Sequence, residues 1–247
     1  MNMTMRHGVL EIRLLFRRKT TAFAASVLPI GLCVMTWFTV RNHEPESWGS
    51  LVSDRFVMLM LLSVFMASMT VYTARRQSLV LKRMRTSELT DTGVITAVTM
   101  PVVTMGVVQV LVYVVFCLVV GAPMPAHPWL LLLGLVSGVL MTVAAGMAVA
   151  AVSRSVEATT ITAFPVIVAT LAGLFMQDAP DASVVVSGVM LPLIGPADLV
   201  AKGWSGYDAG ATLTSVPALM PGLASTLVWA VVFAAVIARF FRWEPRA

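Results

Sequence analysis

Five basic side chains, Arg75, Arg76, Lys82, Arg83 and Arg85, fall within eleven residues of the segment YTARRQSLVLKRMRTSELTDTG, Tyr72 to Gly93. Leu79 and Glu88 lie among or just after them. Such a cluster can grip carboxylates and carbonyls of a soluble partner through charge-assisted hydrogen bonds. It holds no nucleophile or acid–base pair for catalysis. The rest of the chain offers no better candidate. There is no Gly-x-x-x-x-Gly-Lys-Ser/Thr phosphate cradle. His7, His43 and His127 are isolated in different segments, without metal-ligand spacing, so no metal site is expected. Cys33 and Cys117 both sit inside apolar runs and read as packing residues.

The elements that present the basic cluster are apolar on both sides. No Asp, Glu, Lys or Arg occurs from 56 to 74 or from 92 to 153. Over its 247 residues the chain is 58% hydrophobic and 12% charged, with a mean hydropathy of +0.89. A soluble globule carries roughly 25% charged residues, so the sequence predicts an all-α integral membrane protein. Six spans are expected, at about 20–40, 56–74, 94–120, 129–152, 158–177 and 212–238. Each is close to the roughly 20 residues that cross a bilayer core of about 30 Å. Together they make one transmembrane domain over 20–238.

Four other segments complete the organisation. In 1–19, Met5, Val9, Ile12 and Phe16 share one helical face while Arg6, Arg13 and Arg17 share another. That pattern reads either as a positive flank orienting the first span or as an amphipathic helix at the cytoplasmic interface. Thr90 or Asp91 can cap the third span. The stretch 178–211 holds Asp178, Asp181, Asp198 and Asp208 but one basic residue, Lys202. Its apolar part, Val184 to Ile194, ends at Gly195-Pro196 and is too short to cross, so a re-entrant or interfacial segment is expected. A basic tail, 239–247, closes the sequence.

Lys and Arg favour the cytoplasmic side of membrane proteins. With both termini inside, all of the 17 Lys and Arg residues except Arg41, Arg55 and Lys202 fall in cytoplasmic segments. The +5 formal charge follows the spans and is not a nucleic-acid signal. The predicted spans contain no Asp, Glu, Lys or Arg. Ion-coupled carriers usually keep ionisable groups at mid-membrane, and intramembrane hydrolases need acidic, His or activated Ser groups. Their absence weakens both classes. A passive scaffold, or a pore powered from elsewhere, survives it.

Two features inside the spans stand out. Gly134, Gly138, Thr142 and Gly146 recur every fourth residue and leave one face of the fourth span without bulk, a seam for close helix packing or for sliding during gating. Gln109 is the side-chain amide deep in a span, able to bond a neighbouring helix or to face a substrate path. Met66 and Met69 are flexible apolar residues suited to packing or to a pliable cavity.

The chain resembles permease subunits of the type-2 ATP-binding-cassette (ABC) exporter family, which includes drug, antibiotic and polysaccharide exporters. The second loop carries most of the likeness. Arg75-Arg76-x-x-Leu79-x-Leu81-Lys82-Arg83-Met84-Arg85-Thr86 is similar to the family's Arg-Arg-Glu-Gly…Leu-Lys-Arg-Leu-Arg-x-Thr-Pro. Leu14-Leu15-Phe16-Arg17-Arg18, Ser153-Arg154-Ser155-x-Glu157 and Leu171-Ala172-Gly173-Leu174-Phe175 resemble shorter family segments. Gln77 and Ser78 stand in place of Glu and Gly, and Ser87-Glu88 where Pro is common; Glu88 could supply the missing acidic group.

The resemblance implies a permease with no chemistry of its own. It implies two copies of a separate ATPase, which carry ATP and magnesium, and a second permease copy, with a homodimer expected. The ATPase would contact Arg75, Arg76, Leu79, Lys82, Arg83, Arg85 and Glu88, together with Arg13, Phe16 and Arg17 of the N-terminal helix. The substrate path would lie between the permeases, near Gln109, Met66 and Met69, and 178–211 would cap its exit. Apolar walls favour an amphipathic or hydrophobic substrate. A non-transporting scaffold or immunity protein and an ion-coupled carrier are the rival readings.

Overall fold

The computed structural model describes residues 19–42, 48–78, 90–207, 212–213 and 216–241. The protein is an all-α integral membrane protein built on eight helices among these residues: α1 (Lys19–Asn42), α2 (Trp48–Gln77), α3 (Asp91–Val120), α4 (Pro128–Val152), α5 (Val156–Gln177), α6 (Ala182–Val189), α7 (Ile194–Ser205) and α8 (Met220–Phe240). A two-residue antiparallel pair, β1 (Thr212–Leu213) and β2 (Val216–Pro217), precedes α8. Five helices, α2 to α5 and α8, are long and apolar enough to cross a membrane. The outer faces are apolar: Leu227, Val231, Ile161, Phe175 and Val119 are all exposed, as lipid contact requires.

Local chemistry sets the helix ends. Thr90, rather than Asp91, caps α3, its hydroxyl accepting from Gly93 N at 3.2 Å. At the other end Gly121 takes φ 109°, and Ala122 N and Gly121 N donate to Cys117 O and Leu118 O, a Schellman closure that needs glycine. Pro128 opens α4, where its missing N–H costs nothing. Ser155 caps α5 through Ala158 N.

Three boundaries differ from the sequence expectation. The second span, predicted from 56, begins at Trp48, because Gly49 lies against Ala201 and Ser205 and its N–H donates to Ser205 Oγ at 2.8 Å. The resulting 30 residues extend about 45 Å, well past a hydrocarbon core of about 30 Å. The last helix starts at Met220 rather than 212, since β1 and β2 occupy the preceding residues and Pro221 suits a first turn. Gly195-Pro196 does not end an apolar helix but begins one, again with proline in the first turn.

That last difference defines the hairpin of α6 and α7, which bend by 117°. The turn between them is held inside the bundle. Thr170 Oγ1, part-way along α5, donates to Pro192 O at 3.1 Å, and Trp229 Nε1, part-way along α8, donates to Met190 O at 2.9 Å. Leu193 sits there with φ 65°, a left-handed conformation unusual for a residue with a Cβ, and is buried. Irregular backbone away from water needs such donors. The far end of α7 meets the α3–α4 connection, with Ala126 N donating to Trp204 O and His127 N to Gly203 O. The hairpin therefore enters beside the end of α5, turns within the bundle, and returns to the same end.

The core forms where α4 meets α2 and α7, and the small residues of α4 are what they meet. A Cβ on Gly134 would sit 2.9 Å from Pro196 O and Val200 N; one on Gly138, 2.8 Å from Phe56 Cε1; one on Gly146, 2.8 Å from Ser68 Cβ and 3.0 Å from Met69 N. Thr142 is buried on the same stripe. Gly138→Val should therefore destabilise the purified protein by about 1–3 kcal/mol through overpacking. Gly31→Ala, with nothing within 4 Å of the added Cβ, should not lower the thermal midpoint, since alanine is the better helix former. Melting both variants in detergent checks the pair; equal midpoints would mean that the seam is not close-packed.

Candidate functional site

The basic segment leaves the bundle at the end of α2, where three helices are tied together. Tyr72 is buried and its hydroxyl shares a hydrogen bond with Thr99 Oγ1 on α3. Four residues on, one turn closer to the end, Arg76 turns inward and is 1% exposed. Its guanidinium donates from Nη1 to Ala150 O at 2.8 Å and from Nη2 to Ser153 O at 2.5 Å. These are carbonyls of the last turn and cap of α4, which lack intrahelical donors and carry the negative end of the helix dipole. Arg75 is part-exposed beside it. The two adjacent arginines thus differ in kind: Arg75 is open to the surface, and Arg76 belongs to the interior.

Of the sequence-based docking set, Arg76 is 1% exposed and engaged within this chain, and Arg75 is the described member open to the surface. Leu79, Lys82, Arg83, Arg85 and Glu88 lie outside the described residues, as do Arg13, Phe16 and Arg17 with the rest of 1–18, where the amphipathic helix was expected.

The residues expected near a path are packed inside the chain. Gln109 is 4% exposed and its Nε2 donates to Ser63 Oγ at 2.9 Å. Ser63 belongs to a π-helical stretch of α2, Met60–Phe65, so the amide joins α3 to the point where the α2 ladder widens. Met69 is buried beside Ala145, Ala148 and Val149, and Met66 packs partly buried against the same cluster. Gln109 and Met69 are thus both enclosed among the helices of this chain. Gly134, Gly138, Thr142 and Gly146 share the stripe of α4 that receives α2 and α7.

A charged pair that sequence reasoning passed over lies in α7. Lys202 Nζ donates to Asp198 Oδ2 at 2.6 Å and to Ala218 O at 2.6 Å. Gly222 lies directly over the carboxylate, where any side chain would collide with Oδ2. The pair thereby ties α7 to the start of α8. The signal was present in the sequence as an i,i+4 pair following a Pro suited to a first turn. Outside the spans, Asp181 caps α6 by accepting from Ser183 N at 2.8 Å, which holds its carboxyl below the usual carboxylate range. Among the described residues no group of three or more His, Cys, Asp or Glu could hold a metal ion.

A family model described as "ABC-2 family transporter protein" matches residues 35–239. The chain belongs to the ABC-2 transporter family. ABC-2 permeases are membrane components of transporters, not themselves catalytic, and generally work with an ATPase partner. No curated protein and no solved structure matches the chain. Tyr72 and Arg76 tie the end of α2, where the basic cluster begins, to α3 and α4.

The pair in α7 yields a direct test. Lys202→Met leaves the Asp198 carboxylate buried without its counter-charge, and breaking such a pair costs roughly 3 kcal/mol or more. Replacing both partners, with Asp198→Leu and Lys202→Met, should recover most of that loss. A double-mutant cycle on thermal unfolding in detergent checks it; additive losses would mean that the two side chains do not interact.

Proposed function

We infer that this ABC-2 permease is the membrane subunit of an exporter and that a separate ATPase grips it through the segment 75–91. The observation that carries the reading is the basic cluster Arg75, Lys82, Arg83 and Arg85, which begins in the last turn of α2 and continues after it in the sequence, in a chain of the ABC-2 family whose partner is generally an ATPase. With that segment in the cytoplasm, both termini are cytoplasmic and the protein sits in the cell membrane with the hairpin of α6 and α7 at the outer side. Two permeases and two ATPases make the working unit. ATP and magnesium belong to the ATPase, and closure of its nucleotide sites pushes on residues 79–88.

The substrate class that fits is an amphipathic or hydrophobic molecule, such as a drug, a peptide or a lipid. Its support is the composition of the spans, with no Asp, Glu, Lys or Arg from 92 to 153 and few polar side chains to receive a hydrophilic solute. The buried Asp198–Lys202 pair does not favour an ion-coupled carrier, since each partner is engaged by the other and the lysine also by Ala218 O.

Purifying the permease together with its ATPase from native membranes tests the reading. The two should co-purify with vanadate-sensitive ATP hydrolysis. Arg83→Ala and Glu88→Ala should each weaken the complex about thirtyfold or more, the loss expected when one partner of a buried interfacial charge pair is removed, and so sharply reduce the recovered ATPase. Full recovery with both variants would sink the docking assignment. A permease that never brings a nucleotide-hydrolysing protein with it would instead support the scaffold reading.

A further inference from the structure

Arg75 and Arg76 are neighbours, yet only the first is at the surface. Burying a guanidinium is costly unless its hydrogen bonds are well placed, and Arg76 donates to two backbone carbonyls at the α4 end of one joint. Ala150 O belongs to the last turn of α4, and Ser153 O to the residue that breaks the helix. Ser153 and Ser155 are both extended, with ψ 150° and 171°, and Ser155 already caps α5. The α4–α5 connection is therefore a short extended joint between two rigid rods, clasped on one side by Arg76. Two turns away along α2, Ser68 and Met69 lie against Gly146, so α2 and α4 are also joined at backbone distance there. A displacement at the foot of α2 has a continuous path into this joint.

We propose that Arg76 is the positioning residue that passes movement of the segment after α2 into the α4–α5 joint. It acts on those carbonyls, not on the partner. The proposal rests on the reading of 75–91 as the ATPase docking segment. A planar fork bridges two carbonyls at fixed geometry, which the point charge of lysine cannot reproduce. Arg76→Lys should therefore keep charge and fold but weaken the transfer, while Arg76→Gln should abolish most of it.

The experiment uses the whole permease–ATPase complex with a spin label on Arg154→Cys, an exposed position in the joint. The same preparation without that cysteine serves as the blank for Cys33 and Cys117. In the parent, trapping with Mg-ATP and vanadate should change the mobility of the label. With Arg76→Gln the ATPase should be recovered at the parent level, but the label response should fall about tenfold, the scale set by losing charge-assisted hydrogen bonds. Arg76→Lys should respond between the two.

A full response in Arg76→Gln overturns the proposal. So does a loss of ATPase recovery equal to that of Arg83→Ala, which would make Arg76 a docking residue. If Arg76→Gln does not yield folded protein, Arg76→Lys decides: a reduced response at parent-level recovery upholds the proposal, and a full response overturns it. A parent that recruits no ATPase removes the docking reading and the proposal together; one that recruits it but whose label does not respond overturns the proposal alone. Failure of the Arg76 variants alone leaves the docking reading standing.

Discussion

Close approach along one face of α4 is the constraint on which the rest of this structure depends. Gly134 and Gly138 admit Pro196, Val200 and Phe56, and Gly146 admits Ser68 and the backbone at Met69. Helices in lipid gain little from burying apolar surface against each other, so their association relies on dispersion and on short backbone distances. Because α4 carries no bulk there, α2 can lie along its lower half while α7 lies along its upper half. Bulk on that stripe would push α2 and α7 outward together. The same contact fixes where the foot of α2 emerges and where the hairpin of α6 and α7 is seated.

Once the helices are this close, the remaining polar groups must be satisfied within the bundle. The solutions share a form: a side chain reaches a carbonyl that its own helix has left unpaired. Thr170 and Trp229 serve the turn at 190–193, Lys202 serves Ala218 O, and Arg76 serves the end of α4. Each of these bonds also joins two elements. The hairpin is thereby held by α5 and α8, and the base of the basic segment by α3 and α4.

Much of this was legible in the sequence because the bilayer leaves few options. Uncharged runs of about 20 residues between polar segments read directly as helices, and the four-residue spacing of Gly134, Gly138, Thr142 and Gly146 announced the seam. The early start of α2 was not legible, because Trp48 to Arg55 is polar enough to pass for a loop; its helicity comes from packing against α7. Nor was the start of a helix at Gly195-Pro196, since the same dipeptide serves equally as a stop or as a first turn. The roles of Gln109 and Met69 were open for a similar reason: an amide or a thioether in a span says nothing about which way it points.

Adjacent arginines make the division plain. Composition, hydropathy and the clustering of charge determined that this is a membrane protein with a basic segment after its second span, because those properties depend only on which residues occur and in what order. Whether Arg75 or Arg76 faces outward was decided by where the end of α4 comes to rest. Its exposed carbonyls offer a cation two acceptors, and only the side chain on the inner face of the last turn of α2 can reach them. The same holds for Asp198 and Lys202, whose spacing is written in the chain but whose meeting with Ala218 depends on α7 folding back against the start of α8. Long-range partners of this kind are set by packing, and packing is a property of the assembled helices rather than of any one segment.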